Sequence, residues 1–248
     1  MNFSKSRIHS LILSSFSLTT LACETMHSSD LETAGIAPVV EFLSAGDGTV
    51  EVWAYLLAGG LASNTYLELT GGDRLVARST GDETSLMGTT GLLRDIMYVG
   101  FLQGGVPGTE LSVSLLRERH ENATDSAATL PANFEVLGFE GGSDGRGKPF
   151  IVGVDDLPVR WTNSSNDQIS VSVDGVCVYS DLEAEQPDTG RLTLSAASIY
   201  APEGRSGERC TGEVVVRRVR GGQVDRTFDE GRVTAVQERR MTVHFEVP

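Results

Sequence analysis

Lysine is almost absent from this chain, occurring only at Lys5 and Lys148, and arginine carries nearly all of the positive charge. Positive charge is itself the minority: 34 acidic residues stand against 20 basic ones, for a formal net charge of −14. A surface this acidic repels phosphate backbones, which argues against nucleic acid as a partner. It equally disfavours binding to anionic lipid through a polybasic patch. Proline is scarce, with 8 residues against 28 glycines, so most turns are glycine turns, a composition suited to many short strands rather than long helices. Beyond the N-terminus no apolar run is long enough to stop transfer across a membrane. What remains is a foldable composition, 40% hydrophobic and 22% charged over 248 residues, long enough for one large or two ordinary domains.

Residues 1–23 read as an export signal. Lys5 and Arg7 form a short basic segment, and Ile8 to Leu21 is an uncharged, moderately apolar stretch too short and too rich in Ser and Thr to span a bilayer. The segment Thr20-Leu21-Ala22-Cys23 resembles the lipobox of bacterial lipoprotein precursors, with Thr20 and Leu21 departing from the usual residues there. That resemblance implies a signal peptide over 1–22, lipidation of Cys23, and a membrane partner held through the N-terminal lipid. The other reading of these residues is ordinary cleavage after Ala22, with Cys23 unmodified. Removing 1–22 takes away two basic residues and no acid, leaving a balance of −16. The polar stretch that follows has no periodicity, so residues 23–36 are expected to be a flexible tether holding the folded part roughly 20 Å from the membrane.

With Cys23 used as an anchor, Cys177 and Cys210 remain. An even remainder in an oxidising compartment predicts one disulfide; two buried free thiols are the alternative.

Alternation with period two dominates the rest. Val50, Val52 and Ala54 interleave with Glu51, Trp53 and Tyr55, and Ile169, Val171 and Val173 interleave with serines. Glycine and aspartate turns such as Gly46-Asp47-Gly48 and Gly71-Gly72-Asp73 separate these runs. Thr84 to Met97 is broken by Gly88 and Gly91, so at most a turn or two of helix is expected there. The fold class predicted is all-β: two tandem antiparallel β-sandwiches, over 37–137 and 138–248, with the boundary near Pro131 to Gly142. Leu111–Arg119 faintly echoes Val214–Arg220, and each is followed by a Phe-Glu-Val strand, at Phe134 and Phe245. Trp161, Cys177 and Cys210 in a strand-rich segment resemble Ig-like modules of bacterial surface proteins, although the tryptophan here precedes both cysteines. The whole chain also resembles uncharacterised secreted two-module lipoproteins, a likeness that implies no activity.

No arrangement of residues commits to catalysis. Gly141-Gly142-Ser143-Asp144-Gly145 matches the serine-hydrolase string, but another strand, not a helix, is expected after it. Gly142 to Lys148 nearly matches a phosphate-binding loop, with Pro149 standing where a Ser or Thr must hold magnesium. His27, His120 and His244 lack metal-ligand spacing, and neither Asp155-Asp156 nor the acidic loop Asp181, Glu183, Glu185 and Asp188 has the calcium-loop arrangement. The late arginines, Arg217, Arg218, Arg220, Arg226, Arg232, Arg239 and Arg240, interleave with acids and are expected to pair across strands on an exposed face, with anion binding as the sharper alternative. Trp53, Trp161, Tyr66, Tyr98, Tyr179 and Tyr200 are available for sugar stacking, although strand aromatics usually go to the core. Asn122 and Asn163 begin sequon strings that mean little in a bacterium. The expectation is a non-enzymatic module of the cell envelope without catalytic, cofactor or metal residues, meeting an envelope protein or polysaccharide. A carbohydrate-binding module is the alternative, and an envelope hydrolase using acids such as Asp155 and Asp156 is a more distant one.

Overall fold

The computed structural model describes residues 24–91, 95–140, 147–162, 164–180 and 185–248. In chain order the strands of the first half are β1 (Glu24–His27), β2 (Ile36–Ser44), β3 (Thr49–Ala58), β4 (Thr65–Glu68), β5 (Arg74–Ser79), β6 (Asp82–Ser85), β7 (Met87–Thr90), β8 (Ile96–Gln103), β9 (Glu110–Leu116) and β10 (Ala123–Thr129). The second half adds β11 (Val136–Phe139), β12 (Phe150–Ile151), β13 (Leu157–Trp161), β14 (Gln168–Asp174), β15 (Tyr179–Ser180), β16 (Gln186–Pro187), β17 (Arg191–Leu194), β18 (Ile199–Tyr200), β19 (Arg209–Gly221) and β20 (Arg232–Glu246). Short 3-10 turns occur at Ser28–Asp30, Thr33–Gly35 and Ala196–Ser198, and no α-helix occurs among the described residues. The all-β sandwich class read from the sequence is what the chain adopts.

The strands form because their side chains alternate between core and solvent. Along β3, Val50, Val52, Ala54 and Leu56 are buried while Thr49, Glu51, Trp53 and Tyr55 face partly outward. Each of the valine and leucine side chains contributes about 1.5–3 kcal/mol when fully withdrawn from water, and the alanine methyl about 0.8 kcal/mol.

One long sheet runs through the whole chain in the order β1-β4-β3-β2-β20-β19-β14-β16, with β8 also beside β3, β7 beside β8, and β12 beside β20. Two smaller sheets cover it. The sheet β10-β9-β5-β6 contributes Leu75, Leu111, Val113 and Leu115 to a first core with Phe42, Val52 and Leu56. The sheet β11-β13-β17 contributes Phe139, Val159, Trp161 and Leu194 to a second core with Val171, Val216 and Phe245. A ribbon of β15 and β18 stands apart from all three.

The hairpin β19–β20 joins the two cores. Val233 and Ala235 at the start of β20 pack in the first core, and Val243 and Phe245 near its end pack in the second. Its first half lies parallel to β2, from Val39 opposite Arg232 to Ser44 opposite Gln237, and Phe150 of β12 lies parallel to Phe245. These parallel pairings make the long sheet mixed.

One local expectation is met at its lower limit, and one is corrected. Thr84 to Met97 contains no helical turn among its described residues: Asp82–Ser85 pairs with β5, and Met87–Thr90 then switches to pair with β8. The tether expected over 23–36 is folded from Glu24 onward. Glu24–His27 pairs in parallel with Thr65–Glu68, and Ser28 and Thr33 are buried. The cause is Arg117, whose guanidinium reaches the Ser28 carbonyl at 2.5 Å, the Leu31 carbonyl at 2.9 Å and the Thr33 hydroxyl at 3.0 Å. Its Nε donates to Asp73 at 3.0 Å, with both side chains essentially inaccessible. A polar segment is thus ordered by satisfying a buried cation, together with the packing of Leu31 against the first core.

Candidate functional site

The acids named as hydrolase candidates serve as turn caps. Asp155 accepts the Ile151 amide at 2.8 Å, and Asp156 accepts the Ala196 amide at 2.8 Å, so the two carboxylates are committed to different loops. Asp188 is a core residue rather than a solvated loop acid. Its carboxylate takes the Trp161 indole N–H at 2.7 Å and the Arg218 guanidinium at 2.7 Å.

The histidines are dispersed. His27 stands 3.6 Å from Glu68, His120 lies between Glu32 at 3.2 Å and the Ser29 carbonyl at 3.1 Å, and His244 sits opposite Thr211. Among the described residues no group of three or more His, Cys, Asp or Glu is arranged to hold a metal ion. Asn122 accepts the Arg117 amide at 2.6 Å. Cys23 and the signal segment, the Gly141–Gly145 string with most of the loop to Lys148, Asn163, and Asp181 and Glu183 lie outside the described residues.

The late arginines do not share one exposed face. Arg217 pairs with Glu41 and lies 3.6 Å from Glu238, Arg220 grips Asp167 with contacts of 2.6 and 3.0 Å, and Arg240 bonds Glu213 and Glu238 at 3.1 and 2.7 Å. Arg218 instead is wholly buried, and Arg239 is half-buried over the Phe134 ring. Burial pushes the Arg239 guanidinium below its ordinary value, and the neighbouring Arg218 charge adds to that.

Of the six aromatics named for stacking, two go to the core: Trp161 is 3% exposed and Tyr98 is 4% exposed, while Trp53 and Tyr66 are partly buried. Burial raises the Tyr98 phenol above its ordinary value, while its oxygen accepts the Leu69 amide and donates to the Leu67 carbonyl. Tyr179 and Tyr200 are exposed, at 45% and 39%, as is Phe101 of β8 at 57%. They face each other across the antiparallel ribbon β15–β18, ring centroids 5.6 Å apart and planes tilted by 39°.

Among the described residues, three contacts help to hold that ribbon, beside the burial of Ile199 in the second core. Cys177 is disulfide-bonded to Cys210 of β19, with Cα atoms 6.4 Å apart. The Val173 amide of β14 donates to the Ser180 hydroxyl at 2.8 Å. Asp156, through the Ala196 amide, fixes the 3-10 turn that leads into Ile199 and Tyr200. An open cleft of about 540 Å³, with no ribbon residue in its lining, is bounded by Asp174, Gly175, Val176, Thr211, Gly212, Glu213 and Thr242, and Arg240 pairs with its Glu213 carboxylate at 3.1 Å. Two of these positions pack too closely for a side chain: a Cβ on Gly212 would lie 2.8 Å from the Val178 side chain in the second core, and one on Gly175 would lie 3.0 Å from the Gly212 Cα.

The fold and this site define a disulfide-closed all-β sandwich protein with an exposed aromatic ribbon at one end. No protein-family model matches the chain, and no curated protein matches it. Among solved structures it is similar to a 1.5-MDa bacterial ice-binding adhesin involved in host cell surface retention, at 10% identity and TM-score 0.25, covering 87% of this chain and 66% of that one. It is also similar to the FN1–FN3 domains of chicken CNTN1, at 12% identity and TM-score 0.21, covering 82% and 66%. A third is the Yersinia pseudotuberculosis adhesin InvE, at 16% identity and TM-score 0.22, covering 87% and 60%. The chain thus spans 60–66% of the length of these three.

Proposed function

We propose that this chain is an exported bacterial lipoprotein whose folded part is a non-enzymatic binding module held at the outer side of a membrane. The observation that carries the export half is the Cys177–Cys210 disulfide, a bond suited to an oxidising compartment, which leaves Cys23 as the one remaining cysteine. Strand β1 spans Glu24–His27, so a lipid on Cys23 would attach directly beside the β1 edge of the long sheet. The binding half is supported by the rigidly held, exposed end of the second sandwich, since rigid scaffolds present their contacts on loops and sheet ends.

Intact mass of the protein purified from a bacterial membrane fraction, with and without reduction before alkylation, tests the export half. A chain starting at Cys23 with added acyl mass, whose Cys177 and Cys210 alkylate only after reduction, is expected. An unlipidated chain found in the soluble fraction would remove the anchor from this reading, and cysteines that alkylate without reduction would remove the oxidising compartment.

A further inference from the structure

We propose that the outer face of the long sheet, where β3, β8 and β7 lie side by side, rests on a bilayer surface of neutral lipid. Met87 and Phe101 enter the lipid, and Trp53 and Tyr55 sit at the headgroups. The proposal rests on the lipid anchor at Cys23 put forward above and names the surface that meets the membrane beside it.

Strand register defines this face. Trp53 of β3 stands opposite Val99 of β8, Val99 stands opposite Met87 of β7, and Glu51 stands opposite Phe101. The Tyr55 hydroxyl donates to the Met97 sulfur at 3.2 Å, which extends the patch along the same strands. Because side chains alternate, the neighbours Val52, Ala54, Tyr98 and Leu102 point into the first core, and none of Trp53, Tyr55, Met87, Met97, Val99 and Phe101 belongs to it. Both smaller sheets pack on that inner side. Val233, Ala235, Val243 and Phe245 of β20 alternate in step along the strand, so the first and second cores lie on one face of the long sheet. Among the described residues the outer face is left without a covering sheet. Met87 is 70% and Phe101 57% exposed there, and exposed apolar side chains grouped together mark a contact surface.

What meets this face follows from where the chain outside the described residues ends. Cys23 comes two residues before Thr25, about 7 Å of chain at full stretch. Thr25 is the register partner of Tyr66, and the Tyr66 ring lies 5.8 Å from the Tyr55 ring at the border of the patch. A lipid on Cys23 therefore holds the patch close to the headgroups, and a surface linked so closely meets the membrane at high effective concentration. Its side chains suit that place. Trp and Tyr rings, apolar in body and polar at one edge, favour the boundary between headgroups and acyl chains. Glu24 and Glu68 at the β1 edge and Glu51 within the face add to a net charge of −14, so anionic lipid is repelled and neutral headgroups fit.

The test uses protein purified from the membrane fraction, its acylation read by mass, in phosphatidylcholine vesicles with and without brominated acyl chains. Trp53 and Trp161 are the two tryptophans, and Trp161 is 3% exposed in the second core, so quenching by the bromines reads Trp53. Quenching of one emission component is expected, and Trp53→Phe should remove that component. Peroxide oxidation of Met87 should run about tenfold or more slower in the unaltered protein than in Phe101→Glu on the same vesicles. Leu137→Glu, at an exposed position on the sheet that covers the other side, should change neither readout. The quenching is read in the unaltered protein, so a variant that misfolds does not decide the matter. Acylated protein whose Trp53 is not quenched overturns this inference and leaves the export reading standing. Met87 protection that survives Phe101→Glu overturns it too, as does protection that depends on the number of protein molecules per vesicle, which would assign the face to a second copy. Quenching as strong on phosphatidylglycerol vesicles overturns the choice of a neutral surface. A chain without acyl mass removes the anchor, and this inference falls with it.

Discussion

The guanidinium of Arg218 and the carboxylate of Asp188 meet at 2.7 Å with both side chains fully withdrawn from solvent. Arg218 also donates to the carbonyls of Ala132 and Asn133 and lies 4.6 Å from the Phe134 ring, so one cation ties β19 to the linker entering the second sandwich. Asp188 in turn accepts from Trp161, Ser165 and Gly190. Removing one partner leaves an uncompensated buried charge. Asp188→Ala should therefore destabilise the protein by about 3–5 kcal/mol in urea unfolding. Adding Arg218→Met should recover part of that loss, because the stranded charge is gone. An additive double variant would mean the pair is not coupled.

Arg117 plays the corresponding part in the first sandwich, with a different consequence. Its partners are Asp73 and the chain between Ser28 and Thr33, so it fastens the N-terminal segment to the body. Arg117→Met should release that segment. Hydrogen exchange of the amides over 24–33 should become fast, while those of β14 and β19 keep their protection. Unchanged protection at 24–33 would show that the β1–β4 pairing holds the segment by itself.

The legible parts of this molecule were those with a local period. The alternation in β3 gave strand position and inward face directly, because burial over Thr49–Leu56 follows every second residue. In β14 it placed Ile169, Val171 and Val173 correctly in the core but left Ser170, also buried, on the outer face. The reach of the β19–β20 hairpin across both cores was not legible. Arg217, Arg218, Glu238, Arg239 and Arg240 in its middle look like solvent-facing charge, although Arg218 is in the core. The parallel partnership of β2 with β20 joins residues almost 200 positions apart and leaves no mark on either segment alone. Residues 24–35 looked like a tether because their order comes from Arg117, a residue more than 80 positions away. At the candidate site, Tyr179 and Tyr200 were visible only as two of six available aromatics. What separates them from Tyr98 and Trp161 is which side of a short ribbon they occupy, and that is a tertiary fact. The disulfide was legible from cysteine parity.

That disulfide closes a loop with a sequence separation of 33. By the chain-entropy model it contributes about 3–4 kcal/mol. Reduction, or the Cys177→Ser and Cys210→Ser pair, should lower the denaturant midpoint accordingly. Amides near Val173, Tyr179 and Tyr200 should lose protection first, since the chain entering the ribbon would no longer be tied to β19. Loss confined to the first core would contradict this assignment.

Acid sensitivity should centre on Asp225 and Asp167. Burial pushes the Asp225 carboxyl upward, but the amides of Thr227, Asp125 and Thr124 outweigh it and hold the group below its ordinary value of 3.8. Those bonds measure 2.8, 2.7 and 2.6 Å and pin the 225–227 loop to the start of β10. Asp167 is likewise lowered: burial opposes ionisation, and Arg220 and Ser165 overcome it. A carboxyl lowered in the folded state binds its proton more readily when unfolded, so its stabilisation is present in full well above the ordinary value. It is lost as the pH falls through the folded one. Unfolding free energy should thus hold steady through the neutral range and decline from about pH 5 downward. Asp225→Asn should cost about 1–3 kcal/mol at neutral pH, because its amide group sets a donor against donors. It should also flatten the acid limb, since one of the titrating groups is gone. Urea unfolding of both proteins across the acid range checks the two effects together, and an unchanged acid slope in the variant would assign the limb to other carboxylates.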